Sequence, residues 1–218
     1  MMLKIYGADL SAPANKVRMT ANALDLEYDY IRVDIRGGEN RTGQYLRLHP
    51  AGKVPVIDDN GFILFESNAI IKYLAAREVS PLYSDNIKER ANVDQWIDFI
   101  TFHVGGAMGK VLFNRVFASF AKVPVDDRSL EDGIKFMGRF LPVIERQLAG
   151  NKNVAGEKVT LADIALLATI DPAEVAGISL AGYGHTLEWR QGLMKKDFYT
   201  KCHTSYETAL KNMLAGPK

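Results

Sequence analysis

Several features that mark common classes of protein are missing from this chain of 218 residues. It contains one cysteine, Cys202, which excludes an internal disulfide framework and a Cys-x-x-Cys redox pair. Its four histidines lack the spacing of a zinc motif, so no metal site is predicted. No segment approaches the roughly 20 apolar residues that span a membrane. Hydrophobic residues nevertheless make up 47% of the chain, which is ample for a folded core.

The charges are nearly balanced, with 27 basic and 26 acidic residues and a net charge of +1. A protein whose main partner is nucleic acid ordinarily carries a strong positive excess, so that class is not expected. The first residues lack a charged segment followed by an apolar one, and no signal peptide is predicted. We therefore expect a cytoplasmic protein that has neither a membrane nor nucleic acid as its partner.

The N-terminal third of the chain alternates between strand and helix patterns. Short strands are predicted at residues 2–7, 28–33, 56–57 and 62–65. Helical spacing of apolar residues occurs at residues 14–25 and from Ser67 to about Arg77. The Asn60-Gly61 step between the last two strands is a strong signal for a hairpin. The order β-α-β-β-β-α, with its first two strands parallel, describes a thioredoxin-like domain.

The pattern changes after this domain. Residues 79–86 break the periodicity and are predicted to form a linker. Helical periodicity then fills the rest of the chain, at residues 87–118, 127–148, 160–175 and 185–213. Thr160 and Asp163 have the spacing of a capping box, to which we assign a structural role. The predicted architecture is an α/β domain at residues 1–78 followed by an all-helical domain at residues 87–218.

The strongest functional signal lies in residues 50–74. Glu66 and Ser67 stand where a helix is predicted to begin, with Ser67 as the expected N-cap. A helix N-terminus presents unpaired N–H groups and about half a positive charge, so it can hold a carboxylate, while Glu66 can accept an ammonium group. The Lys-Val-Pro step at residues 53–55 adds a cation and backbone groups. The segment therefore suits an extended, anionic, peptide-like ligand, although many serine-capped helices are only structural.

This segment resembles the glutathione-binding half-site of the glutathione transferase family, and the resemblance extends over the whole chain. It implies a serine-type enzyme of the theta- or phi-like classes, of bacterial origin. The Val54–Pro55 peptide is then expected to be cis, and the backbone of Val54 is expected to lie along the ligand like an added strand. Glu66 and Ser67 are expected to bind the γ-glutamyl end of glutathione.

Further contacts with glutathione follow from the same resemblance. Lys53 is expected to reach the glycine carboxylate. Asn40 and Arg41 lie on the loop where phi-like relatives place another contact, although a charge on a loop is usually just solvated. Glutathione is implied as a co-substrate, and no permanently bound cofactor is implied.

The glutathione sulfur is expected to lie near the turn that follows the first strand. In serine-type transferases a serine in this turn donates a hydrogen bond to the sulfur, and Ser11 holds that position here. Lowering the pKa of a thiol from about 8.5 raises its reactive fraction near neutral pH. Ser11 also suits the N-cap of the first helix, which is a purely structural role. Asn15 and Tyr6 are the reserve candidates for the sulfur contact.

The resemblance also implies an apolar site for a second substrate, walled by the first helix of the helical domain. Five residues of that helix are candidates: Phe102, Met108, Phe113, Arg115 and Phe117. Aromatic residues at helical spacing are more often part of a core, so each candidate keeps that alternative. The sequence does not identify the electrophile.

The leading hypothesis is a cytosolic glutathione S-transferase that activates the glutathione thiol for attack on an electrophilic small molecule. The resemblance implies a homodimer. The same site also suits a glutathione-dependent peroxidase, dehalogenase or ether-cleaving lyase. A non-catalytic, transferase-like module that scaffolds other proteins is the alternative from another class. Such a scaffold would be indifferent to the substitution Ser11→Ala, whereas an enzyme would lose turnover.

Overall fold

The computed structural model of the chain describes residues 2–202 and 205–215. The chain forms two compact units, one joining Met1–Tyr83 to Lys196–Lys218 and the other comprising Ser84–Lys195. The first unit contains the predicted α/β domain, and the second contains most of the predicted helical domain. The final segment differs from the prediction, because it packs with the first unit.

The first unit is built on a sheet with four strands in the described residues: β1 (Leu3–Gly7), β2 (Tyr28–Arg32), β3 (Val56–Asp59) and β4 (Phe62–Phe65). Their order is β2-β1-β3-β4, with β1 and β2 parallel and the other neighbours antiparallel. The sheet is accompanied by the helices α1 (Ala12–Ala23), α2 (Gly43–Leu46) and α3 (Ser67–Arg77). The predicted order β-α-β-β-β-α is confirmed. The additional helix α2 is too short to produce a periodic pattern in the sequence.

Apolar residues hold this sheet from both faces. Fully buried aliphatic side chains of the strands and of α3 form one core: Ile5, Ile57, Ile70, Ile71 and Leu74. Burying each of them contributes roughly 1.5–3 kcal/mol to folding. Successive side chains of a strand point to opposite faces. Tyr6 accordingly packs in a different cluster, which contains Val33, Tyr45 and Val56 and is contacted by Val54.

The second unit is helical. Its first helical run contains α4 (Ile87–Phe99), α5 (Gly106–Leu112) and α6 (Ala118–Ala121), joined by wider π turns at Ile100–Gly105 and Phe113–Phe117. The helices that follow are α7 (Asp127–Gly150), α8 (Leu161–Ile170) and α9 (Gly184–Met194). Among the described residues of this unit, extended pairing is limited to one bridge between Asn153 and Gly156, which confirms the predicted helical domain. In the described part of the chain, no helix has the length and apolar character needed to cross a membrane.

The predicted capping box at the start of α8 is confirmed. The Thr160 side chain accepts from the N–H of Ala162 at 3.3 Å, and an Asp163 carboxylate oxygen accepts from the N–H of Thr160 at 2.8 Å. The other Asp163 oxygen accepts from the N–H of Val154 at 2.8 Å and from the Trp189 indole at 3.1 Å. Asp163 is fully buried, so this carboxylate ties three segments of the helical unit together.

The C-terminal segment contains α10 (Asp197–Thr200) and α11 (Tyr206–Ala215). It is held on the first unit by the Asn22 side chain of α1, which donates to the Phe198 carbonyl at 3.1 Å. The helical periodicity predicted over residues 185–213 is thus divided among separate helices, and residues 203 and 204 of that range lie outside the described residues. The helical pattern runs through α9, but Lys196 is extended, with φ −80° and ψ 146°. Neither proline nor glycine marks this break, so no turn signal indicated it.

Candidate functional site

The strand register brings three separate segments to one edge of the sheet. Tyr6 of β1 is paired with Val56 of β3, and Val56 is paired with Phe65 of β4. Both pairings are antiparallel, so the end of β1, the start of β3 and the end of β4 lie side by side. The turn after β1, the corner before β3 and the start of α3 therefore share this edge. These segments contain the predicted sulfur contact, the Val-Pro step and the Glu-Ser pair.

Ser11 lies in the turn after β1 and is the N-cap of α1. Its hydroxyl oxygen accepts a hydrogen bond from the N–H of Ala14 at 3.3 Å, and its own N–H donates to the Ala8 carbonyl at 2.9 Å. The side chain is partly exposed. A hydroxyl that accepts one bond still has its hydrogen to donate. The structural role of Ser11 is thus compatible with donation to a ligand sulfur, which stays a prediction.

The two reserve candidates have structural contacts of their own. Asn15 is buried at 3% exposure, and its amide donates to the Asp9 carbonyl at 3.0 Å, which fixes the turn from beneath. Tyr6 lies on β1 and packs with Tyr45 and Val56. Neither contact decides whether Asn15 or Tyr6 can hydrogen-bond the ligand sulfur, so both stay reserve candidates.

The corner before β3 has the predicted cis peptide between Val54 and Pro55. Among the described residues, the backbone of Val54 has no hydrogen-bonding partner. The Tyr45 hydroxyl donates to the Lys53 carbonyl at 2.9 Å, which holds the loop from below. Burial raises the pKa of Tyr45 to about 12, so this hydroxyl keeps its proton at neutral pH. An extended ligand beside this corner would find a donor and an acceptor on Val54.

Asn40 supports the same loop from its other side. Its amide donates to the Gly52 carbonyl at 2.6 Å. Gly52 has a φ of +61°, and a Cβ there would lie 2.6 Å from the Asn40 carbonyl oxygen, so only glycine fits. Arg41 ends a 3₁₀ turn at Glu39–Arg41 and is exposed, as is Lys53. The structure thus gives Asn40 a supporting contact, and direct contacts of all three with a ligand stay predictions.

The start of α3 differs from its prediction. The helix begins at Ser67, and the N-cap is Glu66, whose carbonyl accepts from the N–H of Ile70 at 2.9 Å. The prediction of Ser67 as the N-cap is therefore wrong by one residue. Glu66 has φ 71° and ψ 109°, a conformation that costs a side-chain-bearing residue about 1–3 kcal/mol and is concentrated at functional sites.

This terminus is also open. The N-cap residue makes no side-chain hydrogen bond to the helix, in contrast with the capped starts of α1 and α8. The first N–H groups of a helix have no partner within the helix, and together they carry about half a positive charge. Glu66 is exposed and Ser67 is partly exposed beside these groups. The arrangement can bind a carboxylate at the helix end and an ammonium group at Glu66.

Two buried basic residues near Glu66 were not identified from the sequence. Lys16 of α1 is 7% exposed, and burial lowers its pKa to about 7 although the Glu66 carboxylate opposes that shift. Burial also lowers the pKa of His49, again against the influence of Glu66, and the His49 Nδ1 accepts from the N–H of Ala51 at 3.1 Å. A lysine on an amphipathic helix is ordinarily exposed, so no pattern indicated that Lys16 is buried.

The residues proposed for a second substrate lie in the helical unit and differ in exposure. Phe102 is 73% exposed and Phe113 is 45% exposed, whereas Met108 is buried in the core of that unit. Arg115 donates to the carbonyls of Ala176 and Gly177 at 2.7 and 2.9 Å, which gives it a structural contact. Phe117 is partly buried. Their role toward a substrate stays a prediction.

Comparisons with known proteins agree with this geometry. The N-terminal domain of the glutathione S-transferase family matches residues 1–76, and its C-terminal domain matches residues 122–197. Glutathione S-transferase F10 of Arabidopsis thaliana is 34% identical over 170 residues, which cover 77% of this chain and 79% of that protein. A solved structure, glutathione S-transferase-I bound with lactoylglutathione, is similar at a TM-score of 0.84 and 25% identity, covering 93% of this chain and 98% of that one.

A second relative has a different name. Elongation factor 1-gamma 1 of Oryza sativa subsp. japonica is 37% identical over 147 residues, which cover 64% of this chain. The same residues cover 34% of that protein, so the chain spans about a third of its length.

Proposed function

We propose that this chain, which belongs to the glutathione S-transferase family, binds glutathione at the sheet edge described above and transfers it to an electrophilic small molecule. The register Tyr6–Val56–Phe65 is the observation that carries the proposal. It sets the Ser11 turn, the Val54 backbone and the start of α3 along one edge. These are the places where a peptide-like thiol needs contacts with its sulfur, its backbone and its α-amino acid end.

Each end of glutathione has a matching group. The γ-glutamyl carboxylate binds the N–H groups and the Ser67 hydroxyl at the start of α3, where the helix dipole is favourable. The ammonium group of the same moiety binds the Glu66 carboxylate. The middle of the ligand pairs with the backbone of Val54, and Lys53 reaches the glycine carboxylate. Asn40 and Arg41 are further candidate contacts on the neighbouring loop.

Ser11 acts on the sulfur. Its hydroxyl donates a hydrogen bond to sulfur, which stabilises the thiolate relative to the thiol and lowers the thiol pKa from about 8.5. The thiolate attacks an electrophilic carbon, so a C–S bond forms while the bond to the leaving group breaks and its electron pair departs with that group. The thiol proton goes to solvent. Ser11 itself is unchanged, because it is a donor and not a nucleophile.

Several finer assignments belong to the same proposal. The chain is of the serine type, theta- or phi-like, and of bacterial origin. It works as a cytoplasmic homodimer, with glutathione as co-substrate and without a permanently bound cofactor. Phe102, Phe113 and Phe117 remain candidates for the electrophile site, while the buried Met108 and the tied Arg115 have less freedom to contact a substrate.

A second candidate function is a transferase-like module without catalysis. It is favoured by one observation, the match to a relative that is named as an elongation factor and is much longer than this chain. The enzyme is favoured by the presence of Glu66 and Ser67 at the start of α3 and of the cis Val54–Pro55 peptide. A measurement of turnover distinguishes the enzyme from the non-catalytic module, because only the enzyme would transfer glutathione to an electrophile.

The first test is titration of the protein with glutathione by calorimetry, with turnover measured on a panel of electrophiles and a peroxide. We expect binding, and about tenfold weaker affinity for Ser67→Ala, because a hydrogen bond to a charged group is lost. Ser80→Ala is a matched control, since the Ser80 hydroxyl accepts a single backbone bond at 3.3 Å outside the site. Unchanged affinity for Ser67→Ala would remove the carboxylate assignment, and no binding at millimolar glutathione would favour the scaffold.

The second test is ultraviolet titration of the thiolate of bound glutathione. Ser11→Ala is expected to raise the pKa of the bound thiol by about one unit while affecting affinity little, because one donor to the thiolate is removed. Ser80→Ala again controls for the loss of a structural bond, because Ser11 also caps α1 at 3.3 Å. An unshifted thiol pKa would move the role to Asn15, Tyr6 or a backbone N–H.

A further inference from the structure

Lys16 is a charged residue in an unusual place. It belongs to α1, five residues after Ser11, and it is buried at 7% exposure where α1 packs against α3. Its amine donates a hydrogen bond to the side-chain oxygen of Asn68. An ammonium group is costly to bury, and apolar residues would pack this interface at lower cost. The position therefore calls for an explanation beyond packing.

Asn68 is the second residue of α3, next to the open helix start. Asparagine side chains near a helix start readily bond neighbouring backbone N–H groups. In this chain the Asn68 oxygen is directed to Lys16 of another helix. Lys16 thus holds a competing acceptor away from the N–H groups that a ligand carboxylate would use.

The charge of Lys16 acts on the same place. The titratable groups that influence it are Glu66, which favours the charged amine, and Lys72 of α3, which disfavours it. A cation behind the start of α3 adds to the positive potential of the helix dipole and attracts a carboxylate. Burial lowers the Lys16 pKa to about 7, so this contribution varies across the neutral pH range.

We propose that Lys16 is a positioning residue for glutathione: from behind the site, it holds Asn68 off the start of α3 and adds positive charge at the terminus where the γ-glutamyl carboxylate binds. This inference rests on the proposed function, since it concerns the same ligand at the same helix end. Lys16 acts through Asn68 and through its field, and it does not touch the ligand.

The test uses calorimetry with S-methylglutathione, whose sulfur carries no titratable proton. Affinity of the unmodified protein is expected to fall about three- to tenfold between about pH 6 and about pH 8.5, as Lys16 loses its charge. Lys16→Met and Lys16→Gln should both show a clearly smaller fall, namely the part that comes from deprotonation of the ligand's own ammonium group at Glu66. Lys16→Gln keeps a donor for Asn68, so at the higher pH it should match the unmodified protein, with Lys16→Met about threefold weaker.

Lys72→Met is the matched control, because it removes one lysine charge that acts on Lys16 and leaves Lys16, the observed donor to Asn68, in place. It should keep the fall in affinity that Lys16 causes, with the midpoint of that fall moved to higher pH, because Lys72 no longer disfavours the charged amine of Lys16. Thermal unfolding checks each variant, and Lys16→Gln keeps the test decisive if Lys16→Met does not fold. The same fall in affinity in both Lys16 variants and in the unmodified protein would overturn the inference while leaving the proposed function standing. If the unmodified protein does not bind S-methylglutathione, the proposed function fails and the inference fails with it.

Discussion

Two helices of this chain begin in opposite ways. The start of α8 is closed, because Thr160 and the buried Asp163 satisfy its backbone and tie it to Val154 and Trp189. The start of α3 is open, because its N-cap, Glu66, has a positive φ and makes no side-chain bond to the helix. The closed terminus serves folding. The open terminus has no side-chain cap, which suits the proposed binding of a ligand carboxylate, and it contains backbone strain that the rest of the fold must offset.

The start of α9 is intermediate between these two. It has no side-chain cap of its own, but Glu145 of α7 accepts from the N–H groups of His185 and Thr186 at 2.9 Å each and from the Thr186 hydroxyl at 2.7 Å. These donors lower the Glu145 pKa to about 2 although burial opposes the shift. A carboxylate from elsewhere in the chain thus occupies a helix start in the way proposed for the glutathione carboxylate at α3. Thr186 there has the role proposed for Ser67.

The largest effect on stability is expected at the closed terminus, the start of α8. Asp163→Ala removes a fully buried carboxylate and leaves the donors of Val154, Thr160 and Trp189 without their acceptor. We expect a loss of about 3–5 kcal/mol in the free energy of unfolding, measured in urea. Thr160→Ala should cost only about 1 kcal/mol, since it removes the cap and leaves the carboxylate. Equal losses for the two variants would mean that Asp163 acts as a simple cap.

The second prediction concerns pH at the start of α9. The Glu145 pKa falls from 4.5 to about 2 on folding, so its stabilisation is complete above the higher value and is lost as pH falls through the lower one. Because this carboxylate is partly exposed and solvent screens its charge, the stabilisation at neutral pH is roughly 1–2 kcal/mol. Unfolding free energies of the unmodified protein and Glu145→Gln should therefore differ most near neutral pH and converge near about pH 2.

Glu131→Gln is the matched control for that measurement, because Glu131 is an exposed carboxylate on the same helix. It should leave the pH profile of stability unchanged. A Glu145→Gln profile parallel to that of the unmodified protein would show that the carboxylate charge does not matter at this helix start. The analogy with a ligand carboxylate at α3 would then lose its support.

Local signals made much of the fold and part of the site predictable. Asn60-Gly61 marked the hairpin, and the spacing of Thr160 and Asp163 marked a helix start, because each signal depends on a few neighbouring residues. The cis Val54–Pro55 peptide was predicted only through the family resemblance, since the dipeptide alone favours the trans form.

The failures occurred where distant parts of the chain decide the conformation. The N-cap of α3 was misplaced by one residue, because Glu66 has a positive φ that its residue type does not indicate. The break at Lys196 has no turn residue, and the packing of the following segment against α1 was not visible in its periodicity. Lys16 was missed for a related reason, because it is buried where α1 packs against α3, and the sequence of α1 alone does not indicate that packing.

The smallest predicted effect is at the open terminus and concerns the strain at Glu66. Glu66→Gly removes the side chain that makes φ 71° unfavourable, and it also makes the unfolded chain more flexible. Urea unfolding should show a net gain in stability of about 0.5–1 kcal/mol relative to Glu66→Gln, which keeps the strain. Both variants should weaken glutathione binding to a similar extent, because both lose the carboxylate that accepts the ammonium group. A Glu66→Gly variant less stable than Glu66→Gln would mean that the backbone at Glu66 is not strained. The open start of α3 would then cost the fold no stability.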